Sequence, residues 1–337
     1  MAVLTDAAEY FGAVRDALRV AERHVQIIGW DIHSETSLVG PSGRADDGLP
    51  IALAPFLKAL LRAKPELRID ILIWDFAALY AAEREWNSAD KLISGTGGRV
   101  RFCLDSRLPL GSAQHQKIVV IDNAVGFVGG LDLTIRRWDT GDHLVDHACR
   151  RGPDGKSYSP FHDVQCMVDG EAAKALGELA TARWISAGCH AEAFEPVHGE
   201  HWPASVPVDV RDMRAGIART ELGVRGRPGV REVARLFERS IKAANRFIYV
   251  ENQFELSGYH ADACTAHDRG ALAAGFDRRA EDALVMAGDA SHAGWQGRFH
   301  WSVGFGGRDG QDSNSLSIGE RLTFVFGRDG SQQGHDR

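Results

Sequence analysis

The chain reads Gln114-His115-Gln116-Lys117-Ile118-Val119-Val120-Ile121-Asp122 and then Val128-Gly129-Gly130-Leu131-Asp132. The apolar run 118–121 predicts a buried β-strand. Successive side chains of a strand point to opposite faces, so His115 and Lys117, with one residue between them, are expected on the same face. The buried run would hold both side chains in fixed positions.

This pair of side chains points to phosphate chemistry. An imidazole beside an ammonium is a poor structural pair, because burying either charge without a partner is costly. With a phosphate the pair makes sense, since Lys117 supplies charge and His115 can attack phosphorus or transfer a proton. Gly129 and Gly130 would let the backbone approach closely beside the site. Asp132 could accept hydrogen bonds from the ligand or from a neighbouring cation.

Helical and strand patterns alternate around this segment, which predicts an α/β architecture. Helices are expected over residues 8–23, 56–63, 77–91 and 170–184, and strands over 25–30, 69–74, 99–104, 117–121, 126–128 and 164–168. Residues 17–27 resemble residues 240–250, because each is a helix end followed by a β-branched strand. This similarity indicates a weak internal repeat, but any junction of a helix with a following strand would give the same pattern.

The composition is that of an ordinary globular protein, with 337 residues, 44% hydrophobic, 25% charged and a net charge of −7. At about 150 residues per domain, this length predicts about two core-forming units. No apolar run of about 18 residues occurs, so no membrane-spanning helix is expected. The acidic balance argues against broad affinity for nucleic acid.

The cysteines and the first ten residues of the chain indicate the cellular compartment of the protein. Five widely spaced cysteines are present, without a C-x-x-C pair: Cys103, Cys149, Cys166, Cys189 and Cys264. This pattern predicts reduced thiols in a cytoplasmic protein. The first ten residues include Asp6 and Glu9 and lack the basic-then-apolar layout of a signal peptide. We therefore expect a cytoplasmic protein.

The string H-x-K-x4-D-x6-G-G-x-D at residues 115–132 resembles the HKD motif of the phospholipase D superfamily. Asp132 stands where many members have Asn. Further segments are similar to landmarks of this family, namely residues 28–31, 72–75, 137–139, 161–164 and 248–254. The resemblance covers about residues 6–256 and favours members that act on phospholipids over the short nuclease type. It implies a phospholipase D-like α/β/α sandwich.

The resemblance also implies a reaction and roles for its residues. The reaction is phosphodiester hydrolysis or transfer through a phosphohistidine, with no metal and no cofactor. His115 would be the nucleophile, Lys117 would bind the phosphoryl oxygens, and Asp132 would position that cluster.

Two more aspartates are catalytic candidates on the same resemblance. Asp139 is a candidate to orient His115, although Asp142 and Asp146 lie close enough in the sequence to compete. Asp122 belongs to the motif, but ordering a turn or the His–Lys pair suits it better than touching substrate.

The second half of the chain departs from the family pattern. A complete member has a second HKD motif, and this chain has no lysine after Lys242. We expect a complete first half at residues 1–191, a linker at 192–228 and the start of a second half at 229–256. The second half would be truncated or altered, because residues 257–337 form an atypical Gly-rich tail that a shifted reading frame or disorder would explain.

These patterns predict a phospholipase D-like phosphodiesterase or phosphatidyltransferase, impaired because the second HKD motif is missing. The partners expected are a phospholipid, a membrane surface in peripheral contact and a second copy of the chain that completes the site. The alternative is a catalytically inactive family member or a binding remnant. A nuclease-type phosphodiesterase is less favoured, and nucleic acid is not expected as a partner.

Overall fold

The computed structural model describes residues 1–75, 84–108, 113–194, 197, 201–223, 228–243, 248–252, 283–287 and 322–327. The described helices are α1 (Asp6–Val20), α2 (Leu53–Ala63), α3 (Ser88–Ile93), α4 (Gly170–Ser186) and α5 (Glu232–Ala243). The strands are β1 (Ala2–Thr5), β2 (His24–Gly29), β3 (Arg68–Trp74), β4 (Val100–Asp105), β5 (Lys117–Ile121), β6 (Val125–Gly129), β7 (Val164–Asp169), β8 (Arg214–Glu221), β9 (Val230–Arg231), β10 (Ile248–Asn252), β11 (Ala283–Ala287) and β12 (Leu322–Gly327).

Seven strands form one mixed sheet in the order β1-β7-β6-β5-β2-β3-β4. Strands β2, β3 and β4 run parallel, and β5 joins antiparallel to β2, with Ile28 opposite Ile118. Strands β6, β7 and β1 continue the sheet with antiparallel pairing. The predicted apolar run 118–121 lies inside β5, and all five residues of that strand are buried.

Helices cover both faces of the sheet, so the fold is an α/β/α sandwich. Helices α1 and α2 pack on one face over a core that includes Val119 and Ile121. Helix α4 packs on the other face, where Ile118 and Val120 point. Alternate residues of β5 thus pack into opposite cores, which explains why residues 118–121 are all apolar.

The predicted helix at residues 77–91 is partly wrong. Residues 76–83 lie outside the described residues, and residues 84–87 are bend and turn. Helix α3 begins at Ser88, directly after Asn87, whose φ of 62° places it in the left-handed region. A residue in this conformation cannot continue a right-handed helix, so the segment starts anew at Ser88.

The chain divides into two compact units. One contains residues 1–217, 221–229 and 317–337, and the other contains residues 218–220 and 230–316. Strand β8 falls inside the predicted linker 192–228, and Val206 of that segment is buried in the core beneath α1. The boundaries expected at residues 191, 228 and 256 stay predictions, and most of the Gly-rich tail lies outside the described residues.

None of the helices in the described ranges combines the length and the apolar character needed to cross a bilayer.

The structure joins Cys103 and Cys189 in a disulfide, so the expectation of reduced thiols is wrong for this pair. Cys103 lies on β4, and Cys189 follows the end of α4. The pairing could not be predicted from the sequence, because the two cysteines are 86 residues apart. They become neighbours only because α4 returns across the sheet. Cys149 and Cys166 are free.

Reducing the disulfide is expected to lower the free energy of unfolding by about 4 kcal/mol, because the closed loop restricts the unfolded chain. Urea unfolding with and without reductant measures the difference. The double variant Cys103→Ser/Cys189→Ser is the control, since its stability should not respond to reductant. Alkylation of Cys103 and Cys189 in unreduced, unfolded protein would contradict the bond.

Candidate functional site

The candidate site lies at one end of the seven-stranded sheet. Lys117 begins β5 and pairs with Gly129 at the end of β6, and Gly129 pairs in turn with Gln165 near the start of β7. The end of β2 lies at the same edge, because Ile28 pairs with Ile118. The sheet register therefore collects the ends of β2 and β6 and the beginnings of β5 and β7 in one place.

Lys117 and Asp132 form a buried ion pair at this edge. The Lys117 Nζ atom lies 3.0 Å from Asp132 Oδ2, and the two side chains are 5% and 3% exposed. The backbone N–H of Trp30 donates to Asp132 Oδ1 at 2.8 Å. Asp132 thus compensates the charge of Lys117 and ties it to the end of β2, which fixes the ammonium in position.

His115 lies two residues before β5 and is partly exposed. Its carbonyl oxygen lies 3.4 Å from Lys117 Nζ. The structure starts β5 at Lys117, as the predicted strand 117–121 does, whereas the same-face expectation for His115 and Lys117 treated both as strand residues. The structure therefore pairs Lys117 with Asp132 from the predicted set and places the backbone of His115 beside Lys117, while the catalytic role of the His115 imidazole stays a prediction.

Gly129, which ends β6, and Gly130, which follows it, lie very close to neighbouring atoms. A Cβ atom on Gly129 would lie 2.3 Å from the carbonyl oxygen of Val164, and one on Gly130 would lie 2.1 Å from Asp163 Oδ1. Because neither position carries a side chain, Val164, which begins β7, can pack against Gly129. For the same reason the carboxylate of Asp163 can pack against Gly130.

Asp163 is a site residue that the sequence analysis missed. Burial raises the pKa of this carboxyl to about 6, and the negative charge of Asp132 also raises it. The hydrogen bond from the Val164 N–H and the positive charge of Lys117 lower the pKa but do not cancel the rise. Asp163 thus contributes a second carboxylate within electrostatic range of Lys117. A signal was present in the sequence, because residues 161–164 resemble a family landmark.

Asp163 should make stability pH-dependent. The folded-state pKa near 6 exceeds the usual value of about 4, so the folded protein holds a proton that the unfolded chain releases between these values. The free energy of unfolding should fall by about 3 kcal/mol as pH rises through this window. In Asp163→Asn, the free energy of unfolding should no longer fall by this amount between about pH 4 and pH 6. Asp142→Asn, a change at an exposed aspartate, should show the same fall as the wild type. A slope in Asp163→Asn equal to that of the wild type, in urea unfolding, would contradict the assignment.

Arg84 and Asp31 add a further charged pair that the sequence analysis did not single out. Arg84 donates to the carbonyl oxygens of Trp30 and Trp74, and its Nε lies 3.7 Å from Asp31 Oδ1. Burial raises the pKa of Asp31 despite a hydrogen bond from Thr134, and the charge of Asp132 raises it further. The edge of the sheet at β2 therefore holds two cations, Lys117 and Arg84, among acidic groups.

Asp122 lies at the opposite end of β5 from Lys117, about 16 Å along the strand. Its carboxylate accepts hydrogen bonds from the backbone N–H groups of Glu22, Arg23 and His24 at 2.7–2.8 Å. Those contacts fix the turn between α1 and β2. The structure does not bring Asp122 to the Lys117–Asp132 pair, and a catalytic role for Asp122 stays an untested prediction.

Asp139 is fully buried in a hydrogen-bond network. Its Oδ1 atom lies 3.1 Å from Arg150 Nη1, and its Oδ2 accepts from the Phe161 N–H at 2.9 Å and lies 3.2 Å from His143 Nδ1. Burial alone would raise the pKa of Asp139, but these hydrogen bonds and the Arg150 charge hold it below its usual range. Orientation of His115 by Asp139 stays a prediction.

These features can be compared with known proteins. A family model described as phospholipase D matches residues 17–205, which is more than half of the chain. The chain therefore belongs to the phospholipase D family.

Two relatives show how much of a longer protein the similarity covers. The chain is 27% identical over 277 residues to phospholipase D A of Dictyostelium discoideum, covering 74% of this chain and 21% of that protein. It is 25% identical over 333 residues to phospholipase D alpha 1 of Ricinus communis, covering 77% of this chain and 41% of that protein. The chain thus spans well under half the length of these relatives.

Solved structures with similar folds were also found. Phosphatidylserine synthase of Haemophilus influenzae has a TM-score of 0.49 at 10% identity, covering 85% of this chain and 61% of that one. NucT from Helicobacter pylori has a TM-score of 0.34 at 12% identity, covering 55% of this chain and 95% of that one.

Proposed function

We propose that this protein cleaves or transfers a phosphodiester of a phospholipid through a covalent intermediate on His115. The observation that carries the proposal is the buried Lys117–Asp132 pair at the sheet edge, with the backbone carbonyl oxygen of His115 3.4 Å from Lys117 Nζ. A buried ammonium held in place is suited to bind phosphoryl oxygens, because it needs no reorganisation when negative charge develops on them.

In the proposed reaction, an imidazole nitrogen of His115 attacks phosphorus. The N–P bond forms while the P–O bond to the headgroup alcohol breaks, and the leaving oxygen takes a proton from a second histidine. Water or an acceptor alcohol then attacks phosphorus and gives its proton to that second histidine. The N–P bond breaks, and both histidines return to their starting states.

The second histidine would come from another copy of the chain. After Lys242 the sequence contains no lysine, so no second H-x-K string follows in this chain. A homodimer would supply one HKD motif from each copy, and activity would be impaired wherever that dimer does not form. The curated relatives are named phospholipase D, which supports a lipid substrate and peripheral contact with a membrane surface.

The competing proposal is a catalytically inactive family member, which the missing second motif favours. A nuclease-type activity is less favoured, because the net charge of −7 disfavours binding to a polyanion. The Cys103–Cys189 disulfide weighs against the cytoplasmic location expected from the cysteine spacing, because such bonds persist in oxidising compartments.

One assay separates these proposals. The protein is incubated with phosphatidylcholine vesicles, and separately with single-stranded DNA, over a range of protein concentrations. We expect release of choline at a specific activity that rises with protein concentration, as a dimer requires. Cleavage of DNA alone would favour the nuclease, and no turnover of either substrate at any concentration would favour the inactive member.

A further inference from the structure

Asp6, His143 and His162 form a cluster that the proposed reaction does not use. One ligand atom from each side chain lies within 4.8 Å of the other two. Asp6 begins α1, His143 lies in the loop after β6, and His162 precedes β7. The cluster shares no side chain with the Lys117–Asp132 pair.

Asp6 is the unusual member, because its carboxylate is fully buried and incompletely satisfied. Its Oδ1 atom lies 2.7 Å from His162 Nδ1 and accepts from the Asp163 N–H at 3.3 Å. Among the described residues, its Oδ2 atom has no hydrogen-bond partner and no lysine or arginine pairs with it. A buried carboxylate oxygen without a hydrogen bond is destabilising, and a bound cation would compensate its charge.

The geometry of His143 places its Nε2 atom beside that oxygen. His143 Nδ1 lies 3.2 Å from the Asp139 carboxylate, which can only accept, so Nδ1 carries a proton. In the neutral ring, Nε2 then presents its lone pair, and it lies 3.3 Å from Asp6 Oδ2. A carboxylate behind the distal ring nitrogen is the usual arrangement for a histidine that binds a metal.

We propose that Asp6, His143 and His162 bind a divalent transition metal, with Zn²⁺ as the best match. Two ligand atoms about 2.0–2.1 Å from a tetrahedral Zn²⁺ lie about 3.3 Å apart, as His143 Nε2 and Asp6 Oδ2 do. The metal would replace the hydrogen bond between His162 and Asp6. The histidine side chains are 33% and 38% exposed, so an ion reaches them from outside.

The metal would act on structure rather than on phosphorus. The Asp6 N–H donates to the carbonyl oxygen of Asp163 at 2.8 Å, and His162 is the neighbour of Asp163 in the chain. Metal binding therefore ties the start of α1 to the segment that places Asp163 against Gly130. The alternative to a metal is an imidazolium at His143, bridging Asp6 and Asp139 with protons alone.

Calorimetric titration of the metal-stripped full chain with ZnCl₂ near neutral pH tests the site. We expect saturable binding of one equivalent at this site, a higher melting temperature with Zn²⁺, and a visible band of tetrahedral Co²⁺ when CoCl₂ replaces it. In His143→Ala/His162→Ala, the affinity should fall by more than about tenfold. His190→Ala, which removes an exposed histidine outside the cluster, should bind as the wild type does.

Two results would overturn the site. One is the lack of saturable Zn²⁺ binding in the wild type, which would favour the imidazolium bridge. The other is equal affinity in the wild type and the double variant, which would place the metal elsewhere in the chain. His143→Gln, which keeps a polar side chain, repeats the test if the double variant fails to fold.

Discussion

Lys117→Met is expected to lower phosphodiesterase activity by at least about a thousandfold, because the variant has no cation to receive charge that develops on the phosphoryl oxygens. It should also lower the free energy of unfolding by about 3 kcal/mol, since the buried carboxylate of Asp132 loses its partner. Choline release from phosphatidylcholine vesicles and urea unfolding measure the two effects.

A second substitution separates chemistry from folding in this prediction. Asp132→Asn in the Lys117→Met background removes the unpaired charge, while the amide oxygen can still accept from the Trp30 N–H. The double variant should recover most of the lost stability and none of the activity. Recovery of activity together with stability would show that Lys117 serves the fold alone.

Gly129→Ala is expected to destabilise the protein by about 3 kcal/mol. The added Cβ atom would lie 2.3 Å from the Val164 carbonyl oxygen and 2.8 Å from the Cα of Gln165. Both atoms belong to the backbone of β7, so a rotamer change cannot relieve the collision and β6 and β7 must separate. Thermal unfolding should show a melting temperature lower by roughly 10 °C.

Gly216→Ala is the matched control for this substitution. Gly216 lies on β8, and an added Cβ atom there has open space around it. Its stability should stay within about 0.5 kcal/mol of the wild type. Equal stability of the two variants would contradict the close approach of β6 and β7 at the site.

Much of the first unit could be predicted from sequence because its signals are local. The apolar run 118–121 identified β5, and the alternation of helical and strand patterns identified the α/β class. Strand β1 was missed because its four residues are too few to show a periodic pattern. Helix α3 was placed too early, since a turn at Asn87 carries no helix-breaking proline or glycine.

The site was predictable only as far as one motif reaches. His115, Lys117 and Asp132 belong to a single string, so their proximity followed from the resemblance. Asp163 and Arg84 come from other segments, and the tertiary fold alone brings them near. The same limit applies to the Cys103–Cys189 bond, which depends on the path of α4 rather than on cysteine spacing.

The buried polar network around Asp139 illustrates a different limit. Arg150 is among the largest fully buried side chains, and its guanidinium is satisfied by Asp139 and by three backbone carbonyl oxygens. In sequence, Arg150 is one of two adjacent arginines in a polar stretch, which is typical of a solvated loop. Its burial depends on partners that become adjacent when the loop after β6 folds back.

In the proposed reaction, His115 carries the chemistry of a phospholipid phosphodiesterase. The most direct measurement is choline release from phosphatidylcholine vesicles by the wild type and by His115→Asn, at the protein concentration where activity is greatest. We predict measurable turnover by the wild type and a loss of at least about a thousandfold in the variant, with equal thermal stability of the two proteins. Turnover by His115→Asn at the wild-type rate would contradict the claim.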